Sequence, residues 1–232
     1  MNIIVTGASS GIGFELVKIL SKNQSNKILA IARNEKKLIN LRNECKGGNV
    51  VVLDWDITDY DSVNRLIVKL DDEFEQVDIL INNAGLLVNK KFEELTPKDV
   101  AQTMEVNFGA VVHLIQHVLP KLKESARGHI VNIGSMGGFQ GSAKFPGLSA
   151  YSSSKAALAC LSEVLALEFT EYNIAVNCLA LGAAQTEMLD QAFPGYKAPV
   201  SAHQMAEFIA DFALKGAKYI NGKTIPVAMG NP

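Results

Sequence analysis

A doubly wound α/β fold is predicted for this chain of 232 residues from three observations. Seven short apolar runs rich in β-branched residues recur along it, amphipathic stretches separate them, and a glycine-rich turn, TGASSGIG at residues 6–13, joins the first run to the first helix. Apolar runs of this length read as strands buried on both faces, and strands alternating with helices form right-handed crossovers, which set a parallel sheet between two helical layers. At this length folding buries over about two thirds of the unfolded surface.

In order, Ile3, Ile4 and Val5 make the first strand, and Phe14 to Leu20 the first helix. Strand Lys27 to Ala32 precedes helix Glu35 to Cys45, strand Val50 to Leu53 precedes helix Ser62 to Phe74, and strand Val77 to Ile81 precedes a long helix from Pro97 to Leu119. Then come strand His129 to Ile133 with helix Ala150 to Phe169, strand Ile174 to Leu181 with helix Ala202 to Leu214, and a last strand from Thr224 to Ala228. No connection is rich enough in Pro, Gly or Ser to act as a linker, and no repeat or low-complexity tract interrupts the rhythm, so a single domain over residues 1–232 is expected. The least regular stretches, 136–149 and 185–200, each follow a strand, and in open α/β sheets ligands bind beyond the carboxyl ends of strands. Those two loops are expected to wall the substrate site.

A hydrophobic content of 48% and a net charge of −2 lack the basic excess that nucleic acid or an anionic membrane requires. The first strand follows Met1 almost at once, and no apolar stretch reaches the ~18 residues of a membrane span, so a cytoplasmic protein is expected. Cys45, Cys160 and Cys178 are odd in number and widely spaced, which reads as reduced thiols packed in the core. No metal is expected: His113 and His117 share a helix face without the glutamate of a zincin helix, and Asp71, Asp72, Glu73 and Glu75 read as a solvated cluster. Ser152, Ser153 and Ser154 lack the elbow of a serine hydrolase.

The glycine turn carries the first functional reading. A strand-to-helix turn leaves unpaired amides at the positive end of the helix dipole, and glycines let a pyrophosphate approach that backbone. Gly7, Gly11 and Gly13 give the spacing G-x3-G-x-G. At the end of the second strand, where a carboxylate would hold the ribose 2′-hydroxyl of NAD, stands Ala32, followed by Arg33, whose guanidinium suits the 2′-phosphate of NADP. NADP(H) is therefore expected in preference to NAD(H).

Tyr151 and Lys155, in AYSSSKAAL, share one face of a helix. With TGASSGIG, NNAG at residues 82–85, Asn107 and VNIGS ending at Ser135 in the same order, the chain resembles the short-chain dehydrogenase/reductase family along essentially its whole length, which implies a Rossmann-type domain and a nicotinamide-dependent oxidoreductase. By that resemblance Gly7, Ser9, Ser10, Gly11, Ile12 and Gly13 form the phosphate turn, Arg33 the 2′-phosphate contact, and Asp56 with Ile57 the adenine pocket. Asn83, Ala84 and Gly85 line the cofactor, Asn107, Ser135, Tyr151 and Lys155 match the family's catalytic tetrad, and Gly182, Ala184 and Thr186 embrace the nicotinamide end.

The chemistry asks for those residue types independently. Carbonyl reduction needs a hydride on carbon and a proton on oxygen, and Tyr151 can supply the proton. In the oxidative direction it must be a base, although tyrosine titrates near 10, so neutral operation asks for a depression of roughly 3 units, or ~4 kcal/mol. An exposed ion pair cannot supply that, whereas a partly buried Lys155 about 4 Å away can supply much of it. Ser135 would hydrogen-bond the substrate oxygen, and Asn107 would position a water linking Lys155 to solvent.

Some features depart from the family pattern. Leu181 stands where a proline usually precedes Gly182, the interval from Ser135 to Tyr151 is a few residues long with SAK at 142–144 as the insertion, and the chain ends VAMGNP where many relatives have an aspartate and two glycines. The lid from Glu187 to Val200 is short, which suggests an open site. Met136, Phe139, Phe145, Pro146, Leu148, Met188, Leu189, Phe193 and Tyr196 crowd the two loops, so an apolar or weakly polar ketone, aldehyde or alcohol is the expected substrate. Two alternatives stand beside it: a 3-oxoacyl-carrier-protein reductase, docking its carrier on Arg127 and Lys123, and an NADP-sensing protein without turnover. Apolar positions around Asn107 and after Tyr151 suit packing between identical subunits, in a homodimer or homotetramer.

Overall fold

Strand residues alternate between two cores, and this alternation builds the architecture. Along β1 (Asn2–Thr6) and β2 (Lys27–Ala32), Ile3, Val5, Ile28 and Ala30 face one apolar cluster while Ile4, Leu29 and Ile31 face the other, as the period of two in a strand requires. The computed structural model describes residues 1–229, so the last three residues of VAMGNP lie outside it. The remaining strands of the main sheet are β3 (Val50–Asp54), β4 (Ile79–Asn82), β5 (Gly128–Ser135), β6 (Ile174–Leu181) and β9 (Thr224–Val227). All pair in parallel in the order β3-β2-β1-β4-β5-β6-β9. Strand order reverses between β1 and β4, and that crevice is where an open α/β sheet places a ligand.

One face of the sheet is covered by α1 (Gly11–Ser21), α2 (Glu35–Glu44) and α8 (Ala202–Lys215), through residues such as Leu16, Leu38 and Ile209. The other is covered by α3 (Asn64–Glu73), α5 (Ala110–Lys123) and α6 (Ser149–Glu168), through Leu66, Leu114 and Leu158. The seven predicted strands and their helices are all present, with boundaries shifted by a few residues. The long helix expected from Pro97 is α4 (Pro97–Met104), capped by a reciprocal Thr96–Asp99 box, then a π turn over Glu105–Gly109, then α5.

Two regions differ from the sequence reading. Residues 185–200 are not irregular throughout: α7 (Glu187–Ala192) lies between two-residue strands β7 (Ala184–Gln185) and β8 (Val200–Ser201), which pair in parallel and clip the loop at its base. Strands that short have no periodicity to read. Of the three cysteines, Cys45 and Cys178 are buried as expected but Cys160 is exposed on α6. Among the described residues no helix is long and apolar enough to cross a membrane.

Candidate active site

The carboxyl ends of β1, β4, β5 and β6 converge on one cavity of about 500 Å³. Its back wall is a staple between β1 and the chain leaving β4. Thr6 Oγ1 accepts from the backbone N–H groups of Asn83 at 3.1 Å and Ala84 at 3.0 Å, while Asn83 Nδ2 donates to the Thr6 carbonyl at 2.9 Å. This close approach explains the glycines. A Cβ on Gly7, which has φ +67°, would stand 2.9 Å from Ala84 Cα, and one on Gly13 would stand 2.4 Å from the Gly7 carbonyl oxygen. Ser10 caps α1 in an extended conformation but makes no side-chain cap bond. Its hydroxyl is thus uncommitted, and it lines the cavity beside Gly11 and Ile12.

On the opposite wall stand Ser135, at the end of β5, and Tyr151 and Lys155 on the first turns of α6. Asn83, Gly85, Gly182, Ala184 and Thr186 complete the predicted residues that line the cavity. Gly7, Ser9, Gly13, Ala84, Arg33, Asp56, Ile57 and Asn107 lie outside its lining. Arg33 and Asp56 are nonetheless near one another beyond β2, with Arg33 Nη1 3.7 Å from Asp56 Oδ2 and an Arg33 side chain 77% exposed. Asp56 Oδ1 accepts from the backbone and hydroxyl of Thr58. Ile57 packs in the core, leaving Asp56 as the side chain this loop can offer a ligand.

Lys155 is buried, and its Nζ donates to the Ile133 carbonyl at 2.8 Å. Burial lowers its pKa from the usual 10.5 to about 8, because desolvation disfavours the charged form. Nζ stands 5.9 Å from the centre of the Tyr151 ring. The Tyr151 pKa is raised rather than depressed: burial pushes it up, and the neighbouring Ser135 hydroxyl pulls it back only in part. The lysine leans on the β5 backbone instead of on the phenol, so it does not by itself make Tyr151 a base.

Asn107 is also placed differently from expectation. Its carboxamide is buried, with Oδ1 accepting from Leu86 N at 2.8 Å and Nδ2 donating to the Leu86 carbonyl and to Ser154 Oγ, each at 2.9 Å. Ser154 Oγ in turn donates to the Tyr151 carbonyl at 2.7 Å. Both amide donors and one lone pair are thereby used, so the side chain ties the NNAG loop to the turn of α6 that carries Tyr151. A π turn leaves backbone groups out of helical register, which lets Asn107 point inward here. Asn107 and Lys155 still meet around Gly85, where a Cβ would stand 3.3 Å from Asn107 Oδ1 and 3.5 Å from Lys155 Nζ. Ser154 was legible only as part of AYSSSKAAL, and the Ile133 and Leu86 backbone partners carried no sequence signal.

Most of the remaining lining is apolar, with Leu87, Met136, Phe145 and Leu148 from one side and Met188, Leu189 and Phe193 from the lid, while Glu187 and Tyr196 add a carboxylate and a phenol on the lid side. Residues of the short lid therefore line one side of the cavity. Leu181 continues the β6 ladder, in register with Ser135 and Val227, in place of a proline kink. Arg127 and Lys123 flank the amino end of β5, at the opposite end of the strands from the cavity, and Lys123 Nζ sits 3.6 Å above the Tyr172 ring. They form no docking patch beside the site. The His113 ring lies tilted against Tyr60 with ring centres 4.1 Å apart, and His117 Nδ1 meets the His113 carbonyl at 2.9 Å; among the described residues no group of three His, Cys, Asp or Glu is placed to hold a metal ion.

Comparison with known proteins agrees with this geometry. A family model described as short chain dehydrogenase matches residues 1–197. An uncharacterized oxidoreductase of Staphylococcus saprophyticus is 35% identical over 81% of the chain and 76% of its own length. An oxidoreductase of Botryotinia fuckeliana is 33% identical over 79% of the chain and 65% of its own. Among solved structures, a mutant 4-hydroxyisoleucine dehydrogenase complexed with NADH and succinate superposes with TM-score 0.88 at 27% identity, covering 100% of this chain and 98% of that one. A 3-ketoacyl-(acyl-carrier-protein) reductase from Brucella melitensis, complexed with NADH, shares the fold at TM-score 0.89 and 24% identity, covering 99% and 97%.

Proposed function

This chain belongs to the short chain dehydrogenase family of nicotinamide-dependent oxidoreductases, and we propose that it reduces an apolar or weakly polar ketone or aldehyde with NADPH, Tyr151 giving the proton. The observation that carries this reading is the meeting of Ser135, Tyr151 and Lys155 in a mostly apolar cavity that the Ser10–Ile12 part of the glycine turn also lines. The residues present suit a dinucleotide: the first amides of α1 are free of side-chain capping, the Ser10 hydroxyl is uncommitted, and glycine backbone lines the approach. When bound, a reduced nicotinamide supplies the hydride.

The chain's own residues supply the rest. The Tyr151 phenol is protonated at neutral pH, and burial raises its pKa further above the usual value, which suits an acid poised to protonate a carbonyl oxygen. Ser135 donates a second hydrogen bond to that oxygen and steadies its growing charge. Lys155, still mainly protonated at pH 7, places a positive charge 5.9 Å from the centre of the Tyr151 ring, and that charge fades as pH rises past about 8. Asn107 is a positioning residue that fixes the Tyr151 turn through Ser154. Alcohol oxidation asks Tyr151 to be a base against its raised pKa, so reduction is the easier direction.

The preference for NADP(H) rests on Ala32 at the end of β2 and on the outward-facing Arg33 beside it. The NADH named with the solved relatives belongs to those proteins, and tighter binding of NADH than NADPH here would overturn the preference. Val164 and Leu167, 46% and 80% exposed on the outer side of α6, support a homodimer or homotetramer, which light scattering would detect. Three free thiols support a cytoplasmic setting.

The test is NADPH consumption against a panel of ketones and aldehydes, with Tyr151→Phe beside the wild type and cofactor affinity measured by titration. Turnover lost with binding preserved is expected. Tight NADPH binding without turnover on any carbonyl would favour a cofactor sensor instead.

A further inference from the structure

An ion pair between residues far apart in the chain stands at the rim of the cavity: Lys37 Nζ lies 3.4 Å from Glu187 Oε2. Lys37 belongs to the first turn of α2, where the Asn34 cap accepts from its backbone N–H at 3.0 Å, so its side chain rises from the same turn that presents Arg33. Glu187 opens α7, directly after Thr186, and lines the cavity. Thr186 itself lies against the glycine turn, its Cγ2 3.3 Å from where a Cβ on Gly11 would be. The pair thus ties the first turn of the lid to the first turn of α2, next to Arg33.

We propose that Lys37 is a specificity-determining residue that couples lid to cofactor: it pairs with Glu187 until a 2′-phosphate takes it, so that binding of NADP(H), and not of NAD(H), frees the lid from α2. This rests on the NADP(H) reading above. Both partners are well exposed, at 47% and 67% of their side-chain surface, and exposed carboxylate–ammonium pairs are loosely held. The companion pair of Arg33 with Asp56 is longer still, at 3.7 Å. A phosphate monoester carries close to two negative charges at neutral pH and presents three acceptor oxygens. Lys37 and Arg33 together therefore exchange single carboxylates for a dianion they can share. NAD(H) offers an uncharged hydroxyl at that position, which gives Lys37 no reason to leave Glu187.

Glu187 is consequently a competitor for Lys37, and that makes a signature no simple structural role shares. Affinities for NADPH and NADH are measured by fluorescence titration on wild type, Lys37→Met, Glu187→Gln and the double variant. Lys37→Met is expected to weaken NADPH about tenfold and leave NADH within about twofold. Glu187→Gln is expected to tighten NADPH by about twofold to fivefold, the range for releasing an exposed pair, without moving NADH, and to have no effect once Lys37 is gone. Equal shifts for both cofactors, or a Glu187→Gln effect that persists in the Lys37→Met background, would overturn the coupling while an NADPH preference that Arg33→Ala abolishes still stands. A wild type that binds NADH as tightly as NADPH overturns the cofactor reading and the coupling with it.

Discussion

The two ends of the central sheet use their polar groups in opposite ways. At the amino end, Asp78 just before β4 accepts from Asn2 N at 2.7 Å, Gln76 Nε2 at 2.7 Å and Ser125 Oγ at 2.6 Å. Burial alone would raise its pKa, yet these three hydrogen bonds hold it below the usual carboxylate range. In β5 the buried His129 ring meets the Ala213 carbonyl through Nδ1 at 2.9 Å and Asn177 Nδ2 through Nε2 at 3.1 Å, partners that assign Nδ1–H as donor and Nε2 as acceptor. At the carboxyl end, by contrast, the Ser10 hydroxyl makes no cap bond and Lys155 Nζ leans on a single carbonyl, and both residues line the cavity. The Asp78 and His129 groups at the amino end serve the fold alone, whereas the carboxyl end combines groups tied into the fold, such as Asn83 and Asn107, with a Ser10 hydroxyl left for a ligand. Substitutions at the amino end should therefore move stability, and those at the carboxyl end should move function.

Tyr151→Phe is the sharpest break of this contrast. Turnover is expected to fall by about a thousandfold or more, in line with removal of a positioned general acid, while unfolding free energy stays within ~0.5 kcal/mol. A loss of stability comparable to the loss of rate would erase the distinction between the ends. At the other end the largest effect is a pH dependence. Burial lowers the His129 pKa from 6.5 to about 4. The unfolded chain therefore binds a proton near pH 6.5 that the folded one refuses until about pH 4, so stability falls as pH falls through that window, by about 3 kcal/mol. Urea denaturation at pH 7, 5.5 and 4.5 reads this slope, and His129→Gln should flatten it; an equally steep slope in the variant would assign the acid lability to other groups.

Much of the carboxyl end was legible in the sequence because its chemistry is local. The glycine turn, Ser135 and the Tyr151–Lys155 spacing each lie within one short stretch and landed on one cavity. The amino end was not legible at all: Asp78, Ser125 and Asn2 are joined only by the sheet, and a lone aspartate before a strand carries no pattern. The same reason accounts for the contacts at the site that carried no sequence signal. Asn107 pointed to the right place, but its partners Leu86 and Ser154 come from other elements, and the π turn that aims it depends on tertiary packing. The raised Tyr151 pKa comes from its burial, and the acceptor on which Lys155 leans, the Ile133 carbonyl, is a backbone atom of β5, so neither carried a sequence signal.

Asp78→Ala is the next test in size. It removes the acceptor for three donors and leaves them partly buried, which should cost about 2 kcal/mol of stability with kcat per folded molecule unchanged. Equilibrium urea unfolding and active-site-normalised turnover check the two halves. A variant of normal stability but altered KM would connect the two ends through β4 and blur the contrast.

The smallest effect is the most discriminating, because two rules disagree about it. Ser10 holds the N-cap position of α1, where replacing serine with alanine ordinarily costs about 1 kcal/mol. That cost comes from losing a side-chain bond to the first-turn amides, and Ser10 makes no such bond. Ser10→Ala should therefore leave the thermal midpoint unchanged while weakening NADPH binding by about threefold, a modest loss because one neutral hydrogen bond to phosphate is involved. A lowered midpoint with unaltered affinity would show that the hydroxyl caps the helix in solution and that this end, too, spends its polar groups on the fold. Unchanged stability with weakened binding would mean that the first turn of α1 is left uncapped for the phosphate to finish.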